Sequence, residues 1–152
     1  MATTSATQAQ QQGARTKAFR YWRRVLLIFC IFVGVGALFG GVGGYVAPDF
    51  FGASMVIPML REIPFVGLYI NSYMIPASAL LLFVFVPQTI ATIRLLRRHP
   101  KQFSAAIVCG ILLAVFTIVE LIFLPNALSW VYLSFGAIEI ALAVVCSKKT
   151  QR

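Results

Sequence analysis

Two carboxylic acids, Glu120 and Glu139, stand inside long uncharged stretches of this chain. An ionisable side chain in hydrocarbon is costly and marks a functional-site hypothesis by default. A buried carboxyl group held neutral can bond across a helix interface and act as glue. One that exchanges its proton can serve transport. Gln88, Thr89, Thr92 and Tyr132 are the polar groups best spaced to meet these acids. Other chemistry is scarce. The single His, His99, and the single Asp, Asp49, fall on opposite sides of the topology derived below, which excludes a Ser-His-Asp triad. No Walker motif or helical zinc-protease motif is present. Cys30, Cys109 and Cys146 lack Cys-x-x-Cys spacing and read as small buried hydrophobes. No metal site, cofactor or enzymatic activity is expected.

These groups need elements to position them, and composition says which. The chain has 152 residues, 60% apolar, with 13 Lys/Arg and 4 Asp/Glu. A soluble domain carries about 25% charged residues, and a disordered chain is far less apolar. A transmembrane β-barrel would show short alternating segments instead. The charges cluster, and four uncharged stretches lie between the clusters at about 25–47, 73–93, 102–124 and 127–146. Each has roughly the 20 residues needed to cross a bilayer core. The expectation is an all-α membrane protein, a four-helix transmembrane bundle over residues 19–147.

The basic residues set its orientation. Arg15, Lys17, Arg20, Arg23 and Arg24 precede the first span. Arg94, Arg97, Arg98 and Lys101 follow the second. Lys148, Lys149 and Arg152 follow the fourth. With four crossings, twelve of the thirteen share one side, and Arg61 alone lies opposite. The positive-inside rule makes the crowded side cytoplasmic, with both termini there and the chain multi-pass in the cell membrane. Anionic inner-leaflet lipids are then natural partners. Nucleic acid is not, because no basic soluble module exists. Tyr21 and Trp22 suit the inner interface. Tyr45, Tyr69, Tyr73, Trp130 and Tyr132 suit the outer one.

Residues 1–18, rich in Ala, Thr and Gln, are expected to form a disordered tail. Residues 148–152 form a short basic tail. The apolar stretch after the N-terminal basic cluster reads as a retained anchor, not a cleaved signal. Loop 48–72 contains Pro48, Pro58 and Pro64, yet is largely apolar. It is expected to lie in the outer interface, with Arg61 and Glu62 toward water; a re-entrant segment is the alternative. Asn71 or Ser72 can cap the second helix. The very short third loop makes spans three and four an antiparallel hairpin.

Within the spans, Glu120 shares a helical face with Ala106, Gly110, Leu113 and Thr117. Glu139 shares one with Tyr132, Phe135, Gly136, Ala143 and Cys146. The two acids differ in depth by roughly 10 Å at 1.5 Å per residue, so a direct carboxylate pair is not expected. Two polar layers are expected, with Tyr132 beside Glu120 and Gln88 beside Glu139. Gly36, Gly40 and Gly44, with Gly43, form a glycine-zipper stripe for close helix packing. Its partner could be within the chain, in a second copy or in another membrane protein. Pro76 and Pro87 should each remove a backbone bond and tend to kink the second span.

Several motifs carry a family resemblance: Gly40-Gly41, Ala47-Pro48, Ile63-Pro64-Phe65, Gly110-Ile111-Leu112, Val119-Glu120 and Ser129-Trp130. Over residues 37–143 the chain resembles small bacterial four-span integral membrane proteins, with a layout loosely similar to the DoxX-like group. The resemblance implies a bacterial cytoplasmic membrane and a four-helix bundle, and implies no activity. Small multidrug resistance transporters also have four spans but use an acid in the first, which this chain lacks. The expected function is a non-enzymatic accessory or assembly component. The alternative is a small proton-coupled transporter or channel using Glu139 and Glu120.

Overall fold

The computed structural model describes residues 2–51, 57–58, 61–62, 74–123 and 127–150. Among these residues lie four long helices: α1 (Ala2–Val46), α2 (Met74–Leu96), α3 (Gln102–Phe123) and α4 (Ala127–Thr150). Each contains a stretch long and apolar enough to cross a membrane. The protein is an all-α four-helix bundle of the multi-pass membrane class. α1 packs along α2 and α3 along α4, and the two pairs meet at the α2–α3 and α1–α4 seams.

The first helix is longer than expected. It starts at Ala2, so backbone expected to be disordered over 1–18 is helical from its second residue, and its apolar stretch runs Ala18–Val46 where a span over 25–47 was expected. Ala, Gln, Lys and Arg are good helix formers. Extending an existing helix also avoids the nucleation cost that a separate segment would face. α1 ends at Val46 and runs into a short 3-10 turn, Pro48–Phe51. Of loop 48–72, Arg61 and Glu62 are exposed. The rest of its interfacial or re-entrant geometry lies largely outside the described residues, as do the Asn71 and Ser72 caps.

α2 is not a uniform helix. A π turn spans Leu81–Phe85, closed by the Val86 N–H bonding to the Leu81 carbonyl. It lies directly before Pro87, whose ring would crowd the carbonyl four residues back in a regular helix. Widening the turn relieves that clash. Thr89 Oγ1 donates to the Phe85 carbonyl at 2.9 Å. The helix then ends in a Schellman motif. His99 N donates to Arg94 O at 3.0 Å and Arg98 N to Leu95 O at 3.3 Å. Arg98 takes the left-handed position at φ 53°, where glycine is usual. Arg23 of α1 adds a 2.6 Å bond from Nη2 to the same Leu95 carbonyl, tying the middle of α1 to the end of α2. At the other end, Tyr45 and Ser78 hydroxyls bond across the same pair. The end that carries Arg23, Arg94 and Lys148 is the basic end.

Two of the apolar clusters among the described residues lie toward opposite ends of the interior. One, toward the basic end, joins Leu26, Leu95, Phe103, Ala106 and Ala143 from all four helices. The other, toward the opposite end, joins Val33, Ala37, Val84 and Leu113. The outward faces are apolar as well, with Phe32, Phe39, Ile90, Ile111, Val115 and Ile138 exposed. Such a surface suits hydrocarbon, where the hydrophobic effect no longer drives helices together and close packing and polar contacts must.

Candidate functional site

Between the two apolar clusters lies a polar node. Glu139, near the middle of the fourth span, has 0% exposure. It projects inward because it shares a buried stripe of α4 with Gly136, Ala143 and Cys146. Both carboxyl oxygens are engaged, each by a different helix. Cys30 Sγ of α1 donates to Oε1 at 3.3 Å, and Gln88 Nε2 of α2 donates to Oε2 at 2.6 Å. Cys109 of α3 lies within electrostatic reach of the same carboxyl. All four helices therefore converge on this layer.

Gln88 is 1% exposed and its second amide atom, Oε1, has no hydrogen-bond partner. That asymmetry has a chemical reading. With Nε2 toward Glu139, an ionised carboxylate accepts. With the amide turned over, Oε1 would accept from a protonated carboxyl at the same position. The node is thus built to hold its glutamate in either protonation state without a cation. Gly34 faces Gln88 across the α1–α2 seam, where a Cβ would sit 3.4 Å from the Gln88 Cβ, at the near edge of ordinary contact. Gly34 and Cys30 are one helical turn apart, the first facing Gln88 and the second bonded to Glu139.

The spacing argument paired Gln88 with Glu139, and the structure places them in hydrogen-bond contact. It treated Cys30 only as a small hydrophobe. All three cysteines are buried, but Cys30 also donates to the acid. No signal in the sequence singled Cys30 out, because α1–α4 adjacency cannot be read from span order. The outer layer is looser. Glu120 and Tyr132 are both half-buried, with Tyr132 within electrostatic reach of Glu120. Tyr132 stacks edge-on against Phe135, ring centroids 6.0 Å apart. Thr117, one turn before Glu120, is buried and bonds back to the Leu113 carbonyl.

The glycine stripe needs correction. A Cβ on Gly36 would meet nothing within 4 Å, so Gly36 is not a packing position in this bundle. Gly40 is one, with Leu80 Cδ2 3.1 Å from its ideal Cβ. Gly44 is buried and Gly43 half-buried. The physical reason is angular: residues four apart advance 40° around a helix, so a four-residue repeat drifts off one line. The buried line instead mixes steps of three and four, through Cys30, Val33, Ala37, Gly41 and Gly44. Gly41, which the spacing passed over, receives Leu81 at the start of the π turn.

The crossing where backbone, and not a flexible side chain, closes on a glycine lies elsewhere. A Cβ on Gly136 would be 3.0 Å from the Gly110 carbonyl oxygen, and one on Gly110 would be 3.0 Å from the Gly136 carbonyl oxygen. Backbone therefore touches backbone between α3 and α4. This contact holds Glu139, one turn beyond Gly136, at the centre of the bundle.

A groove of about 340 Å³ opens between α2 and α3, and Glu139 is not part of its lining. Among the described residues, no group of three or more His, Cys, Asp or Glu side chains is placed to hold a metal ion. Comparison of the chain with protein-family models, with curated proteins and with solved structures finds no match.

Proposed function

We propose that this protein is a non-enzymatic accessory or assembly component of the cell membrane, its bundle fastened from within by Glu139. One observation carries the reading. The acid in the interior has no exposure, and both its oxygens are bonded to other helices. Its chemistry is directed into the fold, while the surface offered to lipid or to another protein is apolar. Twelve of the thirteen basic residues lie on one side of a four-crossing topology, which supports cytoplasmic termini. The test is isolation of the tagged protein from its native membrane in mild detergent, with intact mass of the complex. A stoichiometric foreign membrane protein supports the reading. The chain alone, or copies of itself alone, contradicts it.

A second reading, proton-coupled transport through Glu139, is favoured by a specific feature. The acid sits mid-span with two uncharged hydrogen-bond partners, and the Gln88 amide can serve it charged or neutral. Reconstituted flux that Glu139→Gln abolishes, with the fold intact, would select this reading.

A further inference from the structure

We propose that the groove between α2 and α3 is a binding site for one anionic phospholipid. The groove is lined on the α2 side by Pro87, Ile90 and Arg94, and on the α3 side by residues that include Val108 and Leu112. Pro87, Ile90 and Arg94 fall at steps of three and four, on one face of α2. Val108 and Leu112 are likewise one turn apart on α3. The floor is apolar over roughly 10 Å of helix, by rise per residue. That is room for part of one acyl chain. At the basic end the groove is bordered by Arg94 and Lys101, both exposed, and none of its lining residues is acidic.

The charge and the apolar floor are arranged in the order a phospholipid presents them. The phosphate would lie between the guanidinium and the ammonium, where membrane depth changes from hydrocarbon to headgroup. The acyl chain would lie against Ile90, Val108 and Leu112. Basic pockets between transmembrane helices select anionic head groups in this way, because Arg and Lys pair with phosphate while the bilayer supplies the ligand. A zwitterionic lipid would fill the same apolar floor but bring its own cation toward Arg94 and Lys101. The inference goes beyond the proposed function, since it holds whether or not a protein partner exists.

The test uses the whole chain in detergent, titrated with dioleoyl phosphatidylglycerol or dioleoyl phosphatidylcholine and read by native mass spectrometry. The expected result is preferential binding of one phosphatidylglycerol. The double variant Arg94→Gln/Lys101→Gln should weaken that binding about 30-fold, from a factor of roughly five for each basic group. The control Arg97→Gln/Lys148→Gln removes equal charge from the same end, outside the groove, and should leave the first binding event unchanged. Val108→Trp fills the floor without altering charge and should also abolish it. Equal binding of the two lipids overturns the proposal. So does equal weakening by the two double variants, which would indicate diffuse attraction to the basic end.

Discussion

Replacing Glu139 by leucine removes the shared acceptor of two interhelical hydrogen bonds, from Cys30 at 3.3 Å and Gln88 at 2.6 Å. Leucine is close in volume, so little cavity is left. The cost comes from the groups stranded: the Gln88 side chain, 1% exposed, would hold an amide with no partner at either end. Interhelical hydrogen bonds in membranes average about 0.6 kcal/mol and reach about 1.7. Stranding a buried polar group costs about 1–3 kcal/mol. Glu139→Leu should therefore destabilise the bundle by about 1–3 kcal/mol, and Gln88→Leu by a similar amount, since it leaves the buried Oε2 of Glu139 without its donor while Cys30 still holds Oε1. The double variant Glu139→Leu/Gln88→Leu removes both polar groups and should lie within about 1 kcal/mol of the parent. Reversible unfolding in mixed micelles, with denaturing detergent as the variable, measures all four corners of the cycle. Additivity of the two single effects to within about 0.5 kcal/mol would refute the node, because uncoupled sites behave that way.

The other expectations are more local. Gly136→Ala should destabilise the same unfolding reaction by about 1–3 kcal/mol, because its new Cβ would press on the Gly110 carbonyl and the Ala114 N–H. Gly36→Ala should be neutral or stabilising by up to about 1 kcal/mol, since its Cβ would meet nothing and alanine is the better helix former. Arg98→Gly should stabilise by about 1 kcal/mol in that assay by relieving the left-handed backbone at φ 53°. Cys30, Cys109 and Cys146 are buried, so maleimide labelling in mild detergent should be slow and should become fast on unfolding.

Much of the architecture was legible in the primary structure, for a definite reason. In a bilayer every backbone polar group must be satisfied within a helix or closed barrel, so long uncharged stretches leave few choices. Charge clusters such as Arg94, Arg97 and Arg98 then punctuate the spans. The depth match of Gln88 to Glu139 was legible too, because helical rise converts residue number into position along the bundle. What stayed hidden depends on rotation and neighbour order. Whether Gly36 or Gly41 faces a partner is a matter of one residue's turn around α1. Cys30 becomes a ligand of Glu139 only because α1 lies beside α4, which span order alone does not set. The π turn at Leu81–Phe85 adds another rotation to α2, and Pro87 announces a disturbance there without specifying its form. The helical extension back to Ala2 is not legible in the tail's composition, which speaks to burying a core, whereas continuing α1 requires none.

In the proposed function Glu139 fastens the bundle and carries no protons across it. Proton flux into liposomes holding the purified protein, compared between the parent and Glu139→Gln, tests this most directly. Glutamine keeps the size and polarity of the side chain and, with an amide turn at Gln88, a hydrogen bond between α4 and α2. The expected result is the same flux from both, at the level of protein-free liposomes. A parent flux well above that level, abolished by Glu139→Gln while the variant still folds, would contradict the claim and select transport.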